Sequence, residues 1–242
     1  MAIRVFRKAA IAASAALLLG GIATPAFADS APNGSSEITE YPGISDSVVA
    51  DLNAGFDRVG VAGAARAGLF AKWAAGEQFD SFTDAAPVSI ETFRVGITDF
   101  TRDVYADGSV SVTSVERPTV PSNASGGISP QIAGISGCKY LLSTGVASYS
   151  NCKISKDSAV LYMSFRANYQ RWSRGSGAQL ANSWDWDLQS SGASCAKTSL
   201  AGVTSTKVQM RASCNFPAGV GSSNPYLLLS VSSSSAKVTS NY

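Results

Sequence analysis

The 242-residue chain contains no histidine. That absence removes Ser-His-Asp and Cys-His nucleophile arrangements, HExxH zinc sites and any acid–base chemistry run by an imidazole. There is no C-x-x-C pair, which argues against a thioredoxin-type redox site and against the paired cysteines of a zinc site. No D-x-D-x-D-G calcium loop occurs either. Beyond the N-terminus, no run is long and apolar enough to span a bilayer. Charged residues are sparse, at 15%, so few side chains are available for ionic chemistry of any kind. The sequence implies no metal and no cofactor.

What is present begins with an export signal. Arg4, Arg7 and Lys8 precede an apolar stretch from Ala9 to about Ile22, Thr24-Pro25 breaks it, and Ala26-Phe27-Ala28 follows. A positive n-region, a short apolar core and small residues at a cleavage site are the order of a secretory signal peptide. The expectation is cleavage after Ala28 and a mature chain that starts at Asp29, secreted and not stably inserted in a membrane. An uncleaved anchor is the rival reading.

Losing Arg4, Arg7 and Lys8 leaves 16 basic against 17 acidic residues, a net charge of −1 instead of +2. Nucleic-acid binding needs a concentrated basic face, because phosphate neutralisation supplies most of the affinity. The chain offers no such argument. Its charge is nonetheless divided: residues 29–125 balance at −8 and residues 126–242 at +7. Complementary halves, or a basic module facing an anionic surface, both fit that pattern.

The four cysteines, Cys138, Cys152, Cys195 and Cys214, all lie in the second half. An exported chain with an even count is expected to form disulfides. Of three possible connectivities, Cys138–Cys152 and Cys195–Cys214 are favoured, since each pair flanks a hairpin or short connection.

Secondary structure is read from periodicity. Residues 29–43 are Ser/Gly/Pro-rich and read as a mobile leader. Ile44, Val48, Val49, Leu52 and Phe56 recur at helical spacing with Ser45 as N-cap. A second helix is expected over about Val61–Ala75, with Leu69, Phe70 and Trp73 on it; Arg58, Arg66 and Lys72 leave a membrane-surface role open. From Ile90 the period becomes two, through Phe93, Val95 and Ile97. Asp107-Gly108 marks a hairpin turn between Val104-Tyr105 and Val110. Residues 117–130, rich in Pro, Ser and Gly, read as a connection. Further strands carry Leu161 to Tyr169, Val208 to Cys214, and Leu227 to Val231. Strict alternation sets Trp184, Trp186 and Leu188 on one face, opposite Asp185 and Asp187.

Val104-Tyr-Ala-Asp-Gly-Ser-Val110, Gly76-Glu-Gln-Phe-Asp-Ser81, Cys152-Lys153 and Met163-Ser-Phe-Arg-Ala-Asn-Tyr169 resemble a group of secreted actinobacterial proteins of unknown function, over most of residues 68–242. The resemblance implies a Gram-positive exported protein with a β-rich second half. It implies no activity and no site residues.

For catalysis two options survive. The spacing S-x-x-K occurs at Ser136/Lys139, Ser150/Lys153, Ser194/Lys197 and Ser234/Lys237, but in segments that read as β or loop, where the two side chains do not share a helix face. Carboxylates cluster at Glu77, Asp80 and Asp84, and at Asp185 and Asp187, and a pair of carboxyls beside an aromatic is what glycoside hydrolysis requires. Binding is easier to support. Tyr169, Trp172, Trp184 and Trp186, with Arg166, Arg171 and Arg174 nearby, suit a sugar or anionic cell-wall polymer where they are exposed, because aromatic faces stack on sugar rings and arginines pair with anionic groups. Trp184 and Trp186, flanked by Asp, read rather as the inner face of a sandwich.

The expected fold class is α+β, mainly β: a helical N-terminal segment before an antiparallel β-sandwich-like or barrel-like region with two disulfides. The expected divisions are 1–28 signal peptide, 29–88 leader and helices, 89–118 hairpin region, 119–130 linker, and 131–242 disulfide-bonded β domain. The function read from the residues is a non-catalytic binding or interaction module at the cell surface or in the medium, with Trp172, Arg171, Arg174 and Tyr169 as binding residues. A carboxylate-based hydrolase of glycans or cell wall is the alternative.

Overall fold

The computed structural model describes residues 41–118, 137–172, 177–216 and 219–242. The signal peptide at 1–28, most of the leader, the linker at 119–130 and Arg174 lie outside them. Two helices come first, α1 (Asp46–Val59) and α2 (Gly63–Ala74). Ser45 holds the extended N-cap backbone, but its hydroxyl meets Ser47 Oγ at 3.1 Å and caps no backbone N–H. Gly60 ends α1 in the left-handed region, at φ 75°, a conformation that glycine adopts without a Cβ penalty. Tyr41, read with the mobile leader, instead stacks on Phe70 with ring centroids 4.4 Å apart.

Leu52, Phe56 and Val59 of α1 and Leu69, Phe70 and Trp73 of α2 are buried. Each such side chain is worth about 1.5–3 kcal/mol relative to exposure. The basic residues between them are engaged too: Arg58 pairs with Asp157, Arg66 with Asp57, and Lys72 with Asp80 and Asp107. The apolar stripe of these helices therefore faces protein, which removes the basis for a membrane-surface role. Among the described residues no helix is long and apolar enough to cross a membrane.

A short 3₁₀ turn, Asp80–Phe82, leads into the strands: β1 (Ser89–Val95), β2 (Thr98–Val104), β3 (Val110–Glu116), β4 (Lys139–Ser143), β5 (Val146–Asp157), β6 (Leu161–Trp172) and β7 (Ala178–Ser190). These seven form one antiparallel sheet in the order β1-β2-β3-β5-β6-β7, with β4 also paired to β5. The rest, β8 (Ser194–Thr204), β9 (Lys207–Phe216), β10 (Gly221–Ser223), β11 (Tyr226–Val231) and β12 (Ala236–Ser240), form a second antiparallel sheet around β9 and β11. Residues 39–242 make one compact unit.

The expected hairpin at Asp107-Gly108 is present, with Gly108 at φ 81°. Ile97 does not continue the strand before it. Gly96, at φ 59°, turns the chain, so the run from Ile90 is two strands, β1 and β2.

Alternation then builds the core. Ile154 of β5 and Leu161, Met163, Phe165 and Ala167 of β6 are buried against Val208, Met210 and Ala212 of β9 and Leu227, Leu229 and Val231 of β11. At one end of this sandwich, Trp73 and Phe82 meet Phe216 and Tyr242 edge-on or tilted, and Phe79 tilts against Trp73. The disulfides are Cys138–Cys152 and Cys195–Cys214. The protein is thus mainly β, with a helical N-terminal segment, two antiparallel sheets and two disulfides, as the residues predict.

Strand β7 departs from its expected pattern. Across β6 and β7, Ser164 pairs with Asp187 and Arg166 with Trp184, so β7 carries one extra residue there. Asp185 sits in that bulge at φ 51°. The extra residue flips the phase: Trp186 packs against the core, while Trp184 lies opposite Arg166, whose face is the other one. The two tryptophans therefore do not share a face.

Candidate functional site

The register of three strands sets three tyrosines side by side. Tyr140 of β4 lies opposite Tyr149 of β5, which lies opposite Tyr169 of β6. Directly opposed residues share a sheet face. The Tyr140 and Tyr149 rings meet at 5.4 Å and 63°, and Tyr149 and Tyr169 stack at 4.6 Å and 11°. Tyr169 is buried, so it backs the stack. Burial, reinforced by the neighbouring Tyr149 and opposed by Arg171, pushes its phenol up to about 12.

Arg171 follows two residues along β6 and so projects to the same face. Its guanidinium lies 5.5 Å from the Tyr149 ring centroid, within cation–π range. Its Nη1 donates to Tyr149 Oη at 3.2 Å, and Nε and Nη2 both donate to the Ser233 carbonyl, at 3.2 and 3.0 Å. Ser233 belongs to the turn between β11 and β12, which Ser232 Oγ fixes by accepting from the Ser234 and Ser235 backbone N–H groups. Arg171 therefore joins the end of the first sheet to a turn of the second.

Trp172 completes the wall. Its backbone N–H donates to the Gly177 carbonyl at 3.1 Å. Its ring lies so close to Gly177 that a Cβ there would approach Cε3 to 2.6 Å. Together with Leu142 and Ala147 these residues line an open groove of about 300 Å³. Polar donors, aromatic faces and a fixed cation line one concavity, a composition suited to a polar ring that carries negative charge.

The electrostatics sharpen this. Among the described residues Arg58, Arg66, Arg94, Arg102, Arg117 and Arg166 each pair with a carboxylate. Arg171 and Arg211 do not: Arg211 donates to Gln209, and the partners of Arg171 are a carbonyl, a phenol and a ring.

Sequence reasoning named Tyr169, Arg171 and Trp172, and the fold brings all three to this groove, Tyr169 as its backing. It missed Tyr140, Leu142, Tyr149 and Ser233. Their signal was weak, because they reach the groove through strand register and through a turn some sixty residues downstream of Arg171.

The carboxylates do not converge. Asp80 is tied to Lys72, while Glu77 and Asp84 stay exposed on the chain around it. Asp185 receives Arg166 Nε at 3.0 Å, and Asp187 accepts from the Leu188 N–H and Gln189 Nε2. No group of three or more metal-ligating side chains occurs among the described residues.

No family model matches the chain, and no curated protein matches it. Among solved structures it is similar to a hypothetical protein from Listeria monocytogenes EGD-e, at 18% sequence identity and a TM-score of 0.33, over 61% of this chain and 99% of that one.

Proposed function

We propose that the protein is an exported, non-catalytic binding module that takes an acidic glycan or anionic cell-wall polymer in the groove of Tyr140, Tyr149, Arg171 and Trp172. One observation carries the reading: Arg171 is held in place by a carbonyl and a phenol while its charge is left without a carboxylate partner. A guanidinium fixed this way offers planar donors to a carboxylate or phosphate at little further entropic cost. The tyrosines and Trp172 offer faces for the sugar ring beside it. Export agrees with both cysteine pairs being oxidised, since disulfides persist in oxidising compartments. On this reading residues 1–28 are removed, and the resemblance to secreted actinobacterial proteins supports a polymer of a Gram-positive envelope as the ligand.

Calorimetry with a purified anionic cell-wall polymer, and with a neutral glycan as control, tests the proposal. The anionic polymer is expected to bind, and Arg171→Ala and Trp172→Ala each to weaken it by about tenfold. Unchanged affinity in Arg171→Ala, or equal affinity for the neutral glycan, overturns it.

A further inference from the structure

β1 is the terminal strand of the first sheet, paired with β2 on one side only. A free edge presents a row of backbone N–H and C=O groups to any further strand, and proteins usually blunt it with proline, a bulge or a cover. Among the described residues β1 has none of these, and its two charged side chains, Glu91 and Arg94, are drawn back to Arg102 and Asp99 of β2. It contains no proline, its ladder with β2 runs from Ser89 to Val95 without a register shift, and all seven residues are exposed. Val88, Ile90, Phe93 and Val95 are 67%, 62%, 46% and 63% exposed. Four exposed apolar side chains within eight residues of an open edge mark a contact surface.

The charges on the strand select its occupant. Arg102 Nη1 reaches Glu91 at 3.2 Å and Arg94 Nε reaches Asp99 at 2.7 Å, so both β1 charges are matched within the chain. What β1 offers outward is backbone and apolar side chain, which suits a strand of the same character. Two copies of β1 meeting antiparallel keep their faces aligned only when the symmetry axis passes beside a residue. An axis at Glu91 or at Arg94 opposes like charges and is disfavoured. An axis at Thr92 sets Arg94 against Ile90 and Glu91 against Phe93, placing each charge on a large apolar group. An axis at Phe93 opposes Phe93 to the partner's Phe93, Thr92 to the partner's Arg94 and Glu91 to the partner's Val95, so only one of the two charges meets an apolar group. Phe93 already stacks on Phe100, at 5.2 Å and 9°, so this register continues one aromatic row through four rings.

We infer that β1 pairs antiparallel with β1 of a second copy about Phe93, joining the two seven-stranded sheets edge to edge in a symmetric dimer. The interface is isologous, so it closes at two copies and does not propagate. It uses none of the residues of the Arg171 groove.

Sedimentation velocity and light scattering of the purified chain, from micromolar to millimolar concentration, test it. Twice the chain mass is expected, with reversion to a single chain mass in Phe93→Lys, whose circular dichroism and melting midpoint show that it still folds. Cysteine trapping tests the register. Phe93→Cys should cross-link across the axis, whereas Thr92→Cys should not, because the two positions 92 are then offset beyond disulfide reach. Arg171→Ala should remain dimeric, which separates this inference from the groove. A wild-type chain that stays monomeric throughout, a Phe93→Lys variant that stays dimeric, or trapping at position 92 in place of 93 overturns the proposal.

Discussion

Lys156 Nζ donates to Ser240 Oγ at 2.8 Å, a bond that ties β5 of the first sheet to β12 of the second. The same ammonium lies 5.2 Å from the Tyr242 ring, whose hydroxyl donates back to the Lys156 carbonyl at 3.3 Å. A lysine facing inward between two sheets is desolvated. Burial, only partly offset by Asp103, lowers its pKa from 10.5 to about 8.

This lysine makes stability depend on pH in a defined direction. Its folded-state pKa lies below its unfolded value, so between pH 8 and 10.5 the unfolded chain binds the extra proton and stability from this group rises with pH. Below pH 8 the penalty is complete. Lys156→Met should therefore stabilise the fold at pH 7 by about 3 kcal/mol, less the lost Ser240 bond. The gain should shrink by pH 10.5. Urea titrations of both proteins at the two pH values measure it, and an equal difference at both would place the effect in packing alone.

Gly55 and Gly68 should respond oppositely to alanine. A Cβ at Gly55 would sit 2.0 Å from the Ala159 carbonyl oxygen, so α1 would have to move off the strand connection. Gly55→Ala should cost about 3 kcal/mol. Gly68 in α2 has open space around its Cα, and Gly68→Ala should gain about 0.5–1 kcal/mol in helix propensity. Thermal melts of the two variants compare them directly.

Gly177→Ala should displace the Trp172 ring from the groove wall, given the 2.6 Å approach to Cε3. The expected readout is a shift in tryptophan emission and in anionic-polymer affinity, with little loss of stability. An affinity equal to wild type would show that the position of Trp172 does not matter to the ligand.

The two disulfides close sequence separations of 14 and 19 residues. Replacing either pair by serine should lower stability by about 3 kcal/mol in the chain-entropy model. Cys195 and Cys214 are directly opposed on β8 and β9, so that ladder should persist without the bond. Denaturant midpoints of the two double variants measure the costs separately.

Features that depend on near neighbours were legible in the sequence. The cysteine pairing followed from short hairpin separations, the Asp107-Gly108 turn from its need for positive φ, and the inward face of β6 from strict alternation. Two readings failed where one residue changed the frame, and Lys156 went unread because distant segments meet around it. Asp185 inserts into β7 and reverses the phase of Trp184 without altering composition. Gly96 breaks a run that alternation alone continues through Ile97. Lys156 occupies an inward position in the series Cys152, Ile154, Lys156, but its residue type reads as solvated surface, and the neighbours that accept it are at 240 and 242. The groove was half legible for the same reason: Arg171 and Trp172 announced themselves, while Tyr149 and Ser233 come from elsewhere in the chain.

The aromatic cap has a kinetic consequence. Trp73 and Phe82 find packing partners in Phe216 and Tyr242, separated from them by well over a hundred residues. Helices of 14 and 12 residues are marginal when isolated in water. The early part of the chain therefore reaches its full stability once the last strands have docked, and this share of non-local contacts slows folding. Such a polypeptide stays pliable until nearly all of it is available.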